Sequence, residues 1–176
     1  QGFEVEIRKS LDYVGLEIGE YLSIGGNYSF IHAEVDRTAI ERLGRDANLA
    51  TRITLMVDSS AQLDFIDSVI APAKRADIRV CLELDASWNS RLLGHTGTWR
   101  SPLHSVADAR AFAHHITERP GFTLVGLMAY EGQIAGTVDR PPGRPMFGAL
   151  VRWMQRQSAR ELAERRAAAV AAIREI

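Results

Sequence analysis

A polar cluster follows an apolar run near residue 130. The run "FTLVGLMA" (122–129) is typical of a buried strand, and "YEGQIAG" (130–136) comes directly after it. Tyr130, Glu131 and Gln133 therefore surround Gly132 at the point where the strand ends. In α/β proteins the carboxyl ends of parallel strands are where substrates and cofactors bind. This cluster is a candidate site, and the alternative from these residues alone is a solvated turn.

Lysine is scarce in this chain, with two lysines against 19 arginines. Lys9 ends the strand pattern "FEVEIRKS", whereas Lys74 lies in "APAKRA", a helix-end context typical of the surface. A lysine at a strand end can bind a carbonyl group covalently if burial or a neighbouring cation lowers its pKa. Lys9 is therefore the candidate catalytic lysine, and the alternative is a solvated strand end.

The segment between residues 85 and 104 is a predicted loop of about 20 residues. Loops of this length are commonly functional or disordered. The loop contains side chains that could contact a ligand: Arg91, His95, Trp99, Arg100 and His104. Other predicted strand ends, which would share one face with Tyr130, add further polar candidates: His32 or Glu34, Asp58 and Asp85.

The sequence shows only weak signatures of a metal site or of a Ser-His-Asp catalytic triad. His114 and His115 are adjacent and cannot share one helix face, and the sequence has no H-x-x-x-H pair. We therefore expect no metal site in this chain. The residue types leave a Ser-His-Asp set open, although no G-x-S-x-G elbow supports one.

Composition limits the class of protein. The chain has 176 residues, 46% hydrophobic and 24% charged, with a formal net charge of −1. This composition predicts one globular domain over residues 1–176 and gives no support for nucleic-acid binding. The single cysteine, Cys81, excludes an intramolecular disulfide and favours a small core residue over a reactive thiol. A cytoplasmic location is the default expectation. The sequence contains no run of 18 apolar residues, so no membrane-spanning helix is predicted.

Strand and helix patterns alternate along the chain. Strands are predicted over 3–10, 27–35, 52–58, 78–85 and 122–130. Helices are predicted over 11–23, 36–46 (capped by Asp36), 59–76, 105–119 and 146–176. Strict alternation predicts parallel strands joined by crossover helices, either in an open doubly wound sheet or in part of a barrel. No Gly-rich phosphate loop follows any strand, and five strands cannot close an eight-stranded barrel. The prediction is an α/β fold, a partial (β/α)8 TIM-type barrel of about five βα units.

Several stretches together resemble a known family. The segment "RITLMVDSSAQLDFID", the strand "IRVCLELDAS" and the run "WRSPLHSVADARAFAHHITERPGFTLVGLMAYEGQIAG" look like the middle of the alanine-racemase-like barrels that depend on pyridoxal 5'-phosphate (PLP). Within them the chain is most similar to the D-threonine aldolase and amino acid deaminase/aldolase group. The resemblance runs from about Val35 to the end and includes "VDRPPGRP" and the terminal helix. It implies the fold of the alanine racemase N-terminal domain.

The resemblance implies roles for individual residues. "GLMAYEGQ" is similar to the family's strand-end motif Gly-Leu-Met-x-Tyr-Glu-Gly-His, which implies that Tyr130 lies in the cofactor pocket and that Gln133 stands where the aldolases have histidine. Arg100, in "RSP", resembles the arginine that hydrogen-bonds the pyridine nitrogen of PLP, with Arg91 as the fallback. An arginine stays protonated, so the ring nitrogen remains largely neutral and the chemistry at Cα is narrower. Lys9 occupies the topological position of the family's PLP lysine.

The two ends of the chain resemble the family less well. Residues 1–34 form a divergent N-terminal segment, about one βα unit short of the family's spacing. At the other end the chain stops before the family's Gly-rich phosphate loop, and the C-terminal β domain that carries the aldolases' metal ligands is expected to be absent.

The resemblance implies a PLP-dependent lyase acting on D-amino acids, by retro-aldol cleavage of β-hydroxy D-amino acids or by dehydrative deamination. Two alternatives remain open. One is a catalytically silent, truncated α/β segment that dimerises through uncovered apolar surface. The other is a barrel that carries PLP without turning over a substrate. Neither a nucleic acid nor a membrane is an expected partner.

Overall fold

A computed structural model describes residues 3–10, 23–30, 34–91 and 94–176 of the chain. The chain divides into two compact units, Gln1–Ala39 and Ile40–Ile176. In the first unit, β1 (Phe3–Ser10) pairs antiparallel with β2 (Ser23–Phe30), and Lys9 stands opposite Ile24. The divergent segment predicted over residues 1–34 falls within this unit.

The antiparallel pairing of β1 with β2 corrects the prediction that the first two strands run parallel. The physical reason is visible in "FEVEIRK", where apolar residues alternate with charged ones. Alternation is typical of antiparallel strands, whereas parallel strands buried on both faces are continuously apolar. Gly25 and Gly26 lie within β2. Residues 11–22 of the helix predicted over 11–23 lie outside the described residues, as does His32, and its last residue, Ser23, belongs to β2.

The second unit contains a three-stranded parallel sheet in the order β3 (Thr54–Val57), β4 (Ile78–Leu84) and β7 (Phe122–Ala129). Val57 pairs with Leu82, and Leu84 pairs with Ala129. The register between β4 and β7 shifts between Val80 and Cys81. The prediction of parallel strands is confirmed for these three, so the fold is mixed α/β. The (β/α)8 barrel stays a prediction.

The helices alternate with these strands: α1 (Glu34–Arg45), α2 (Ala47–Arg52), α3 (Ser60–Val69), α4 (Val106–Glu118), α5 (Gly132–Ala135) and α6 (Pro145–Arg174). Their ends follow local chemistry. Ser105 caps α4 by accepting from the Asp108 N–H at 3.1 Å, and the Asp108 carboxylate accepts from the Ser105 N–H at 3.0 Å. Asp36, the predicted cap of α1, lies inside it, because the helical backbone already begins at Glu34.

The predicted loop after β4 contains a short antiparallel hairpin, β5 (Trp88–Ser90) with β6 (Gly94–Thr96). Two glycines let this loop pack closely. A Cβ on Gly97 would lie 2.3 Å from Cβ of Ser87, and a Cβ on Gly132 would lie 2.2 Å from Cγ2 of Thr98. Larger residues at these positions would push the loop away from the ends of β4 and β7.

The core lies on one face of the sheet. Alternate residues of β4, namely Ile78, Val80, Leu82 and Leu84, are at most 1% exposed. They belong to one apolar cluster with residues of five helices, among them Leu63, Phe112, Ile116 and Ala169. Each such buried side chain contributes roughly 1.5–3 kcal/mol relative to exposure. Because side chains alternate along a strand, Cys81 and Glu83 lie on the opposite face of β4. Among the described helices, none is both long and apolar enough to cross a membrane.

Candidate functional site

The carboxyl ends of β3, β4 and β7 meet at one edge of the parallel sheet. Asp58 follows β3, Asp85 follows β4 and Tyr130 follows β7, as the strand predictions required. Glu83 lies near the end of β4 and was not among the predicted candidates. The tertiary structure thus places three carboxylates and a phenol at neighbouring strand ends.

Arg100 connects this edge to the loop after β4. Its Nε donates to Oε1 of Glu83 at 2.7 Å, and its Cζ lies 5.3 Å from the centroid of the Tyr130 ring. Cations within about 6 Å of an aromatic ring are attracted to its face. The loop is fixed next to this pair, because the Ser101 hydroxyl donates to the backbone oxygen of Glu83 at 2.7 Å. The structure therefore brings together Arg100 and Tyr130, two of the predicted site residues.

The Arg100 side chain keeps donors available. About half of it, 49%, is exposed, whereas the Glu83 side chain is 12% exposed. Within the part of the chain that the structure describes, only the Nε of Arg100 has a hydrogen-bond partner. Its two terminal nitrogens can therefore donate to an acceptor on a ligand.

Asp58 has an unusual environment for a carboxylate. Partial burial raises its pKa above the ordinary value, and the negative charge of Glu83 raises the pKa further. Asp58 consequently holds a proton more readily than a solvated aspartate does. The same two causes raise the pKa of the Cys81 thiol, so Cys81 is a half-buried and weakly reactive thiol.

Asp85 forms a second cluster directly after β4. Its side chain is 3% exposed and lies 3.3 Å from Nδ1 of His104 and 3.6 Å from Nε2 of His95. The Ser87 hydroxyl donates to the same carboxylate in a short hydrogen bond. His95 also stacks on Trp99, with ring centroids 3.6 Å apart. This cluster organises the predicted loop around one buried carboxylate.

Burial lowers the pKa of His95, and the positive charges of His104 and Arg165 lower it further against the opposing effect of Asp85. His95 is therefore largely neutral near pH 7. The cluster does not form a Ser-His-Asp relay, because the wholly buried Ser87 donates to Asp85 rather than to a histidine.

Arg165 of α6 secures the same loop from the other side. Its guanidinium donates to the backbone oxygens of Asp85 at 2.7 Å, Ser87 at 2.9 Å and His104 at 2.9 Å. Glu161, one helical turn earlier, accepts from its Nε at 2.7 Å. Nothing in the sequence distinguishes Arg165 from the other arginines of α6, so this role was not predicted.

Gln133 is buried, with 4% of its surface exposed. Its Nε2 donates to the Ala86 oxygen at 2.6 Å and to the Ser158 hydroxyl at 2.8 Å, which connects α5 to the loop after β4 and to α6. Its Oε1 has no hydrogen-bond partner among the described residues. The predicted contact of Gln133 with a cofactor stays a prediction. The neighbouring Glu131 accepts a hydrogen bond from Arg166 at 2.8 Å.

The remaining candidates lie elsewhere. Lys9 lies in β1 of the first unit. Lys74 ends a 3₁₀ turn that precedes β4, at the opposite end of the strand from the site. Arg91 is exposed after β5. His114 lies on the surface of α4 and pairs with Glu118 at 3.0 Å.

No group of three or more His, Cys, Asp or Glu side chains suited to a metal ion occurs among the described residues.

Glu83 is the member of the site that the sequence could have revealed. It is the one charged residue in the otherwise apolar run "VCLEL", and burying a carboxylate there requires a partner.

Comparison with known proteins does not identify this site, since neither models of protein families, nor curated proteins, nor solved structures match the chain.

Proposed function

We propose that this chain forms the cofactor-binding part of a PLP-dependent lyase acting on D-amino acids. The reaction would be retro-aldol cleavage of β-hydroxy D-amino acids or dehydrative deamination. The observation that carries the proposal is the arrangement of Arg100, paired with Glu83 and adjacent to the Tyr130 ring, at the carboxyl edge of a parallel sheet.

The described residues suit the ring end of the cofactor. Arg100 has two terminal nitrogens that can donate to a pyridine nitrogen, and Glu83 holds the guanidinium from its Nε side. The arginine remains protonated in any environment, so it donates to the ring nitrogen and cannot accept its proton. When bound, PLP supplies the electron sink that allows a bond at the substrate Cα to break.

Two other residues of the edge have supporting roles in the proposal. Tyr130 limits the orientation of the guanidinium by lying against it, and the residue is 42% exposed and accessible to a ligand. The raised pKa of Asp58 makes its carboxyl group a candidate to hold a proton at this edge. Lys9 is the proposed covalent partner of the cofactor, because the chain's other lysine, Lys74, precedes β4. The proposal includes a reducing compartment such as the cytoplasm, where a free Cys81 would persist.

The experiment is a PLP titration followed by absorbance, with borohydride reduction and peptide mapping of the product. We expect the pyridoxyl label on Lys9. Arg100→Ala should weaken PLP binding by about 10- to 150-fold, since one charge-assisted hydrogen bond is worth roughly 1.5–3 kcal/mol. Arg91→Ala is the matched control, because Arg91 is an exposed arginine of the same loop.

Unchanged PLP affinity in Arg100→Ala, or label on Lys74, would show that the cofactor assignment is wrong. Turnover of D-threonine and D-serine, with L-threonine as the stereochemical control, then tests the lyase. Labelling of Lys9 without turnover of any of them would favour the barrel that carries PLP without catalysis.

A silent segment that dimerises is the second candidate, favoured by the edges of the sheet. β3 and β7 are the outer strands of the three-stranded sheet, and Met56 and Val125 on them are each 39% exposed. Open strand edges with apolar side chains promote association. Sedimentation over a range of protein concentrations tests this, and a monomer at all concentrations that binds PLP at Lys9 would eliminate it.

A further inference from the structure

Three arginines line a surface cavity at the beginning of α6. The cavity has a volume of about 420 Å³, and the charged residues that line it are Arg140, Arg144 and Arg152. The rest of its wall consists of prolines and glycines of the "RPPGRP" loop and the first turn of the helix. None of these residues belongs to the strand-end site.

Three of the seven residues that line the cavity are arginines, and none of the seven is acidic. The nearest acidic residue in sequence, Asp139, contributes its backbone oxygen, which accepts from Nη1 of Arg152 at 2.8 Å. Guanidinium groups attract anions, so this lining favours a negatively charged ligand.

The start of α6 adds to the positive potential. Arg144 is the N-cap residue and makes no side-chain capping hydrogen bond, Pro145 follows it, and the first turn contains no acidic residue. The first N–H groups of a helix lack intrahelical partners, and the dipole of this 30-residue helix places positive charge at the same end.

The position of Arg152 depends on a glycine. A Cβ on Gly148 would lie 2.8 Å from the Asp139 oxygen and 3.2 Å from Nη1 of Arg152. The absence of a side chain at Gly148 therefore lets the guanidinium reach the loop and still direct its other nitrogen donors elsewhere. The loop itself turns at Gly143, whose φ of +74° favours glycine.

From these observations we infer that the cavity binds the phosphate group of a small phosphorylated molecule. Arginine pairs with phosphate oxygens in a bidentate manner, and three arginines around a cavity of about 420 Å³ suit a compact anion. A nucleic acid is the less favoured ligand, because the chain as a whole has a net charge of −1. This inference is independent of the proposed lyase activity.

The test is calorimetric titration of the intact chain with inorganic phosphate and with pyrophosphate, at constant ionic strength set by sodium chloride. We expect saturable binding with one site, tighter for pyrophosphate. Arg140→Gln and Arg152→Gln should each weaken pyrophosphate binding about tenfold or more. Arg156→Gln, an exposed arginine of the same helix that does not line the cavity, should leave binding unchanged.

Gly148→Ala provides a second variant that keeps all charges. It should weaken binding by displacing Arg152, while circular dichroism confirms that the variants remain folded. Heat that does not saturate, or equal loss of affinity in Arg156→Gln, would overturn the inference. Tighter binding of a single-stranded oligonucleotide than of pyrophosphate would also overturn it, in favour of a nucleic-acid surface.

Discussion

Arg165 on α6 donates a 2.7 Å hydrogen bond to the backbone oxygen of Asp85, 80 residues earlier in the chain. This bond, together with those to Ser87 and His104, attaches the final helix to the loop that contains Arg100. The Arg165 side chain is only 9% exposed, so these contacts are shielded from water. The geometry of the candidate site therefore depends on a helix that contributes no residue to the Arg100–Tyr130 pair.

Arg165→Ala should destabilise the fold by about 3 kcal/mol, because it removes several charge-assisted hydrogen bonds and leaves buried carbonyl groups unpaired. Urea denaturation followed by circular dichroism measures this loss. Arg160→Ala is the control, since Arg160 lies on the same helix with 83% of its side chain exposed, and it should change stability by less than about 0.5 kcal/mol. Equal effects of the two variants would contradict the assigned role of Arg165.

Gln133→Glu should lower the free energy of unfolding at pH 7 by about 2 kcal/mol or more. The change replaces an N–H donor with a carboxylate oxygen facing the Ala86 oxygen, so two acceptors would meet in a buried place. Part of the loss should be recovered near pH 4, because a protonated carboxyl group can donate again. Gln157→Glu, at an exposed position of α6, should show neither the loss nor the recovery.

Asp67→Asn should destabilise the amino-terminal side of the sheet. Asp67 accepts from Arg75, whose side chain is fully buried, at 2.7 Å, and from Arg119 at 2.8 Å. Removing the charge leaves Arg75 without its ionic partner, and we expect a loss of about 3 kcal/mol. Asp64→Asn tests the contrast, because Asp64 pairs with the same Arg119 but is 66% exposed, and its loss should stay below about 1 kcal/mol. A smaller effect at Asp67 than at Asp64 would refute this account.

The environment of His95 predicts how stability varies with pH. Burial lowers the pKa of His95 in the folded state below its ordinary value of 6.5, although the nearby Asp85 opposes this effect. The unfolded chain therefore binds more protons between the two pKa values. Stability should rise as the pH increases through the folded pKa toward 6.5 and above, and should fall when the solution is acidified.

His95→Phe keeps a ring that can stack on Trp99 but cannot be protonated. Urea denaturation at a series of pH values should show a weaker dependence on pH in this variant than in the parent chain. An NMR titration of His95 checks the direction of the pKa shift directly. A His95 pKa above its ordinary value would mean that the attraction of Asp85 outweighs burial.

Local patterns predicted the parallel sheet but not the pairing of the first two strands. The runs before Asp58, Asp85 and Tyr130 are apolar, short and bounded by turn residues, and each of them forms a strand at the expected place. The partner of a strand is a non-local choice, however. Only the alternation of charge in β1 indicated an antiparallel neighbour, and the regular order of elements outweighed that signal in the prediction.

The sequence by itself determined which residue types stand at the strand ends, because hydrophobic periodicity and turn residues act over a few positions. It thereby identified Arg100, Tyr130 and Gln133 as candidates and Asp85 as a strand-end carboxylate. The tertiary structure alone decided the partners: Glu83 for Arg100, Ser158 for Gln133, and Arg165 for the loop after β4. The reason is physical. A buried polar group must find a partner somewhere in the folded chain, and the partner's distance in sequence, from 17 to 80 residues here, is set by packing rather than by local pattern.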